Sequence, residues 1–226
     1  MKKSHFVMKQ ILIIIVAVTF LVGCSDSEPP ANHEQQTSQA AVTETYTVDA
    51  THSAALFQVK HFGISFVSGR FTDLSGTIGV DREDLNNSSV EIVIRTASVT
   101  TDLEKRDDHL RNEDFLDVKK YPAMSFKSSQ VRKINDDSGE ITGSFTLHGV
   151  SRTITTTVTF LGEVDVPWGQ HRAGFETSFN IKRSDYGMDK LLGPAGDNTQ
   201  IILFIEAMRL DNPEKKISDL TDPVPG

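Results

Sequence analysis

The chain has little of several residue types, and each shortage excludes a class of protein. Only one of its 226 residues, Cys24, is a cysteine, so no disulfide within the chain and no pair of thiolate metal ligands is available. Acidic residues outnumber basic ones by 31 to 23, and the net charge of −8 disfavours binding to nucleic acid. Polar aromatic residues are also scarce, with one tryptophan and three tyrosines against thirteen phenylalanines.

Several motifs of catalysis are absent as well. No H-E-x-x-H pair is present to hold zinc, and no G-x-S-x-G nucleophile turn occurs. The glycine-rich stretch Gly193-Pro-Ala-Gly196 is not followed by Gly-Lys-Ser/Thr, so it is no phosphate-binding loop. The sequence therefore predicts neither a metal site nor a catalytic cofactor.

The N-terminus has the pattern of a bacterial export signal. Lysines at positions 2, 3 and 9 precede the apolar run Ile11–Val22, which is shorter than the roughly 20 residues of a membrane span. The run ends in Leu21-Val22-Gly23-Cys24, which is similar to a lipobox. We therefore expect residues 1–23 to be a lipoprotein signal peptide and Cys24 to be lipidated. The alternative is an uncleaved signal anchor with an incidental cysteine.

Lipidation at Cys24 determines how the chain would reach a membrane. Cleavage removes three lysines and no acidic residue, which takes the net charge from −8 to −11. Acyl chains, rather than charge, would then hold the protein at the bilayer. Ser25 after the cysteine favours the outer membrane, facing the periplasm. Residues 24–45 are polar and include two prolines, so we predict a flexible tether that spans about 25 Å.

From Tyr46 onward, apolar and polar residues alternate along the chain, as is typical of β-strands. About eight such segments occur, and this number indicates an all-β protein that is either a closed barrel or a sandwich. An eight-stranded barrel is wide enough to hold one small or elongated ligand. We place the domain at residues 46–211 and predict a disordered tail over residues 212–226, which include three prolines.

One long segment, residues 98–122, departs from this alternation. Its charge is high and its apolar residues Leu103 and Leu110 are spaced as in a helix. Thr101 and Glu104 fit a capping box at its start. We predict a short helical insertion over about residues 100–118 that closes one end of the sheet.

Several segments of the domain, taken in order, resemble the YceI-like, polyisoprenoid-binding family. The resemblance covers residues 46–210 and implies a lipocalin-like, eight-stranded antiparallel β-barrel with a long isoprenoid or quinone-like tail in an apolar channel. Many such proteins are soluble and periplasmic, so the lipobox is a departure that concerns location. The matching segments are Val48-Asp49 with Ser53, Phe57 and Lys60-His61; Lys105-Arg106-Asp107-x-His109-Leu110; Asp114-Phe115-x-Asp117; Tyr121-Pro122; Phe126-Lys127-Ser128; Leu147-His148-Gly149-Val150-Ser151-Arg152; and Arg183-Ser184-Asp185-Tyr186-Gly187-Met188.

The candidate ligand-binding residues are apolar positions expected to face inward. Phenylalanine suits such a lining because it brings no polar atom that needs a partner. Composition alone does not distinguish a hollow barrel from one filled by its own side chains, whereas the resemblance favours the hollow one. The candidates are Phe57, Val59, Leu74, Ile78, Ile92, Ile94, Phe126, Phe145, Leu147, Val158, Phe160, Phe175 and Phe179.

A second group of apolar residues lies near glycines and loops, where the mouth of a channel would be. We expect Phe62 and Phe66 to bind ligand there, together with Met188, Leu191 and Leu192. The expected partners are thus an isoprenoid or other lipid and the membrane, with no nucleic acid; a homodimer stays open.

Two histidines, one of them in the helical segment, allow a rival hypothesis, an envelope enzyme that acts on a lipid or small apolar substrate. In it, His109 or His61 serves as the general acid and base. Asp107 and His109 are two positions apart, however, so they point to different sides of a helix and do not form a metal pair. We instead expect the charged residues here to cap or ion-pair the segment onto the barrel.

Overall fold

The computed structural model describes residues 43–209, which form a single antiparallel sheet, one α-helix and three short 3-10 turns. The helix, α1, spans Glu104–Arg111, and the turns span Leu85–Asn87, Thr96–Ser98 and Arg183–Tyr186. The strands are β1 (Thr43–Val48), β2 (Ala54–His61), β3 (Ser65–Phe71), β4 (Leu74–Asp81), β5 (Ser89–Arg95), β6 (Val99–Thr100), β7 (Ala123–Lys133), β8 (Ser138–Leu147), β9 (Val150–Asp165), β10 (His171–Lys182) and β11 (Ala195–Arg209).

The sheet closes on itself because β11 is paired along both of its sides. One side pairs with β10, and the other pairs with β1 near Arg209 and with β2 along residues 195–204. β1 and β2 therefore form one interrupted strand, as do β3 with β4 and β5 with β6. Eight antiparallel strand positions surround the interior, which confirms the predicted barrel and excludes the sandwich.

Alternation along the strands produces the two faces of the barrel wall. On β8, the inward-facing residues Ile141, Phe145 and Leu147 are buried. On the neighbouring β9, the outward-facing Thr153 and Thr155 are exposed. The two strands are joined by His148 and Gly149, with φ angles of 52° and 75°. Such positive angles at both central residues suit a two-residue hairpin, as the sequence predicts.

The barrel has two different ends. We call the end that carries the turns at 62–64 and 148–149, the connection 96–122 and the loop 183–194 the helix end. The other, the mouth end, carries the loops 82–88, 134–137 and 166–170. The strand directions follow from the pairings, so this assignment rests on the registers of the sheet.

The helical insertion is confirmed, but the predicted capping box is wrong. The N-cap of α1 is Leu103, which has no side-chain capping bond. Asp107 takes the hydrogen-bonding role instead: its buried carboxylate accepts from the Thr101 amide at 2.8 Å, from the Thr101 hydroxyl and from the Thr100 hydroxyl. Thr101 is thus fixed by a residue inside the helix, because a carboxylate accepts several donors at once.

Aromatic packing fills the helix end. The Phe57 ring lies 5.7 Å from the Phe71 ring. A β-carbon at Gly69 would lie 2.5 Å from the Phe57 ring, so a glycine is needed there to leave room for it. Arg183 holds the adjacent loop by donating to the carbonyl oxygens of three residues, Met188, Ala195 and Gly196. This end of the barrel is therefore closed, as predicted for the helical segment.

The predicted boundaries compare with the structure only in part. β1 begins at Thr43, so residues 43–45 of the predicted tether belong to the barrel. The predicted signal peptide, Cys24, the rest of the tether and the tail from 212 lie outside the described residues. Within the described residues, no helix has the length and apolarity needed to cross a membrane.

We predict that Asp107→Asn lowers the free energy of unfolding by about 2 kcal/mol at pH 7, because buried donors lose a charged acceptor. Burial opposes ionisation of Asp107, but the hydrogen bonds from Thr101 and Thr100 outweigh it and lower the pKa of this carboxyl. The stabilisation is therefore complete above the ordinary pKa of about 4 and disappears as the pH falls through the lowered pKa.

Urea denaturation of both proteins at pH 7 and at acidic pH measures this difference. Asp108→Asn is the control, since Asp108 is exposed and makes only a surface ion pair with Arg111. Equal losses of stability in the two variants would contradict the role given to Asp107.

Candidate functional site

An elongated cavity of about 430 Å³ occupies the interior of the barrel. This volume falls within the range of about 300–1,000 Å³ that is usual for small-molecule sites. The cavity reaches from Phe71 and Ala55, about midway along the barrel, to Arg82, Leu85 and Asn135 at the mouth end. It thus has a closed inner end and an entrance between the loops of the mouth.

Nine of the fifteen residues predicted to bind ligand line this cavity. They come from six of the strands that form the ring, so alternation along the sequence correctly identified the inner face. That they contact a ligand stays a prediction. The nine are Ile78, Ile92, Ile94, Phe126, Phe145, Val158, Phe160, Phe175 and Phe179.

Four predicted lining residues do not reach the cavity. Phe57, Leu74 and Leu147 are buried in the packed core, and Val59 is half-buried on β2 beyond Phe57. They face inward as the alternation requires. Phe57, Val59 and Leu147 lie towards the helix end, where side chains fill the space. Leu74 is packed into the core at the start of β4. Alternation predicts the side of a strand on which a residue lies but not its depth along the barrel.

The structure corrects the predicted position of the mouth. The residues expected there lie at the opposite end of the barrel from the entrance. Phe62 and Phe66 are each 62% exposed on the β2–β3 hairpin at the helix end and do not line the cavity. Leu191 and Leu192 are exposed in the loop 183–194 between β10 and β11, and Met188, in the same loop, is buried. Glycines near these residues indicated turns, but turns occur at both ends of a barrel.

The entrance is framed instead by a polar cluster that the sequence analysis missed. Arg82 donates to the carboxylates of Glu44 at 2.8 Å and Glu163 at 2.6 Å, and to the hydroxyl of Tyr46 at 3.0 Å. This guanidinium joins β1, the end of β4 and β9 across one side of the mouth. In the sequence, this cluster could have been found from the charged residues that lie at strand ends away from the helical insertion.

The cations at the entrance are paired with carboxylates, which outnumber them three to two. Hydrogen bonds from Arg82 hold the pKa of the Glu163 carboxyl below its usual value. Burial raises the pKa of Glu44, but bonds from Arg82 and Tyr46 outweigh burial and lower it. Lys133, the other cation of the lining, pairs with Asp136 at 2.6 Å. Both cations of the lining are thus already paired with carboxylates.

The remaining wall of the cavity is mainly apolar. Besides the nine predicted residues, it includes apolar side chains that the same alternation could have identified on β7, β8, β9 and β11. A surface of this kind favours hydrocarbon because transfer of apolar area out of water is favourable. These additional residues are Met124, Val131, Ile141, Ile154, Ile201, Leu203 and Ile205.

A buried ion pair outside the cavity holds the interruption between β1 and β2 against the barrel. Arg172 donates to Asp49 at 2.8 Å and to Glu206 at 2.5 Å. In the described residues, Asp49, His52 and Glu206 form the one group with the spacing of metal ligands. The Arg172 guanidinium already supplies positive charge to two of them, so this cluster is explained as a structural clasp.

The two histidines of the enzyme hypothesis do not face the cavity. His61 is exposed at the end of β2, with its ring 4.5 Å from that of Phe62. His109 lies on α1 and contacts the Asp114 carboxylate at 3.1 Å. Neither lines the apolar interior. The structure therefore places no histidine of this pair where an apolar substrate would be enclosed.

An antiparallel eight-stranded barrel with one closed end and an apolar interior defines a lipocalin-like fold. The sequence assigns it more narrowly: the chain belongs to the YceI-like family, whose domain model matches residues 46–207. Two relatives support this assignment. A Pseudomonas aeruginosa UPF0312 protein is 39% identical over 175 residues, covering 76% of this chain and 91% of its own. Protein YceI of Escherichia coli is 38% identical over 172 residues, covering 75% and 90%.

Solved structures show the same fold. A Campylobacter jejuni YceI protein is 32% identical with a TM-score of 0.60, covering 67% of this chain and 90% of its own. Burkholderia cenocepacia BcnA gives a TM-score of 0.65 at 23% identity, covering 70% and 98%. A domain from Saccharophagus degradans, described as polyisoprenoid-binding, gives 0.58 at 18% identity, covering 73% and 98%.

At the mouth end, His171 lies between two carboxylates, and we predict that its pKa exceeds 6.5. Its Nδ1 lies 2.7 Å from Asp165 and its Nε2 lies 3.3 Å from Glu163. The hydrogen bond with Asp165 raises the pKa more than burial lowers it. The interaction therefore stabilises the fold below pH 6.5 and is lost as the pH rises through the raised pKa.

Nuclear magnetic resonance titration of the imidazole measures this pKa directly. Asp165→Asn should return it towards the ordinary value, because the stronger acceptor is lost. Asp137→Asn removes the same charge from the exposed β7–β8 hairpin and should leave it unchanged. An unshifted pKa in the unaltered protein would refute the assignment.

Proposed function

We propose that the protein binds a long apolar amphiphile, such as a polyisoprenoid or a quinone-like lipid, in the barrel interior, and sequesters or carries it at the bacterial envelope. The observation that carries this proposal is the cavity of about 430 Å³, apolar in depth and open at one end. Such a cavity excludes water from a hydrocarbon tail and leaves a polar head group at the entrance.

Relatives support the chemical class of the ligand. The Saccharophagus degradans domain that is described as polyisoprenoid-binding has the same fold. The chain also belongs to the YceI-like family, so a shared use of the interior is a reasonable extension. Binding and release require no reaction, and among residues 43–209 neither His61 nor His109 lines the interior.

The head group would lie among the polar residues of the entrance. Arg82, Lys133 and Tyr46 line the cavity there, and all three have polar atoms that donate or accept hydrogen bonds. Since Arg82 and Lys133 are already paired with carboxylates, a neutral head group with hydrogen-bonding oxygen atoms fits better than a diphosphate. A quinone or an alcohol has this chemistry.

Attachment to the envelope is the second part of the proposal. The lipobox at residues 21–24 would anchor the domain through acyl chains on Cys24, on the periplasmic side of the outer membrane. A carrier held this way works next to the bilayer that supplies or receives its ligand.

Ligand binding is tested by mass spectrometry of lipid extracted from the purified protein and by uptake of a fluorescent polyprenyl probe. We expect Ala173→Phe, which inserts a ring into the cavity from β10, to weaken probe binding by about tenfold or more. Ser178→Phe adds the same ring to the exposed side of that strand and should bind normally. Protein that carries no lipid and takes up no probe would argue against the function.

Attachment through Cys24 is tested by cell fractionation. Cys24→Ala removes the site of acylation, so we expect the protein to move from the membrane fraction to the soluble fraction, whereas Ser27→Ala should not change its location. Retention of the Cys24→Ala protein in membranes would favour the signal anchor instead.

A further inference from the structure

Four large apolar side chains are exposed on the two hairpins beside the cavity entrance. Ile134 lies on the β7–β8 hairpin, and Leu161, Val164 and Trp168 lie on the β9–β10 hairpin. The hairpins are neighbours, because the Phe160 amide donates to the Asp137 carbonyl. Each of the four side chains is more than half exposed. We call these four residues the rim patch, and exposed apolar clusters of this kind mark interaction surfaces.

The preceding part of the chain joins the barrel at this same end. β1 starts at Thr43, which pairs with Asp81 at the mouth end of β4. Residues 1–42 therefore connect at the mouth end, and they include the apolar run 11–22 and Cys24. Whether Cys24 is acylated or the run stays as a signal anchor, the connection to the membrane would leave the barrel from the mouth end.

We propose that the rim patch rests on the bilayer to which the chain is attached, so that the cavity opens directly towards lipid. This inference rests on the proposed function, since it gives an amphiphile a path from bilayer to cavity that avoids water. A tether of about 20 residues reaches about 25 Å and holds the patch at an effective concentration of about millimolar. A patch of four side chains, too weak to bind alone, suffices at that concentration.

The residue types of the patch fit the boundary between lipid and water. An indole joins an apolar body to a polar N–H, and tryptophan is enriched at membrane interfaces for this reason. The Trp168 Nε1 donates to Gln170 at 3.3 Å, so this N–H is satisfied within the hairpin. Ile134, Leu161 and Val164 add hydrocarbon without a polar atom.

Charge around the patch indicates which lipids it would contact. Asp136, Asp137 and Asp165 are exposed on the same two hairpins. Lys133 pairs with Asp136 and His171 pairs with Asp165, so cations on these hairpins are already matched by carboxylates, and contact depends on apolar burial rather than on attraction to anionic head groups. We therefore expect docking on neutral phosphatidylcholine to be at least as strong as on anionic lipid, and little affected by salt.

The single tryptophan of the chain makes the test direct, because Trp168 reports on the patch alone. In the full chain anchored in phosphatidylcholine vesicles, we expect its emission to shift to shorter wavelength and to be quenched by lipids brominated on the acyl chain. Ile134→Ser with Val164→Ser should reduce docking at least tenfold, since each methylene withdrawn from lipid contributes a factor of about four.

The opposite end of the barrel supplies a matched control. Ile64 and Phe66 are 88% and 62% exposed at the helix end, far along the strands from the tether. Ile64→Ser with Phe66→Ser removes comparable apolar surface and should leave the quenching of Trp168 intact. Equal loss of quenching in both double variants would overturn the proposal. So would a blue shift that appears without vesicles as protein concentration rises, because that result indicates a second copy on the patch.

Two further outcomes separate this inference from the proposed function. Quenching of Trp168 in a protein that takes up no polyprenyl probe would support docking while removing the function. Uptake of probe delivered in solution, with no quenching of Trp168 in vesicles, would retain the function and overturn the docking.

Discussion

Pairing of β11 along both of its sides is the constraint on which the rest of this structure depends. It closes the sheet into eight strand positions and leaves no long edge exposed to pair with another chain. Closure also fixes the width of the interior, which side chains must then fill or a ligand must occupy. The Arg172 clasp with Asp49 and Glu206 secures the point where β1 gives way to β2 beside β11, so a buried ion pair protects the closure itself.

The helix end of the barrel is closed by packed side chains, whereas the mouth end is open. At the helix end, Asp107 and Arg183 are buried with their hydrogen-bonding capacity used on neighbouring backbone and hydroxyl groups, and phenylalanine rings fill the space between the strands. At the mouth end, polar residues such as Arg82 bind one another across the surface and leave the interior accessible. A channel closed at one end enforces one direction of entry, and a tail-first amphiphile suits that geometry.

The sequence predicts those features of the structure that depend on neighbouring residues in the chain. Alternation identified the inner face, and Ile92, Phe145 and Phe160 line the cavity as expected, because side-chain direction in a strand has a period of two. Depth along the barrel has no such signal: Phe57, predicted to line the channel, fills the closed end, and Phe62, predicted at its mouth, lies outside the barrel at that same end. The Arg82 cluster joins residues from distant parts of the chain, so only strand pairing reveals it.

Polar residues of the motifs that carry the family resemblance have structural roles, whereas Phe126, from the same motifs, lines the cavity. Asp49 and Ser53 bind β11, Asp107 fixes the helical segment, and His148 contacts the carbonyl of Tyr186 at 3.0 Å at the closed end. None of these side chains lines the cavity. These polar residues therefore account for the barrel and its closed end, whereas under the proposed function the choice of ligand would depend on the apolar wall and the charges at the entrance. Those wall and entrance residues can change without affecting closure, because the pairing of β11 does not depend on their side chains.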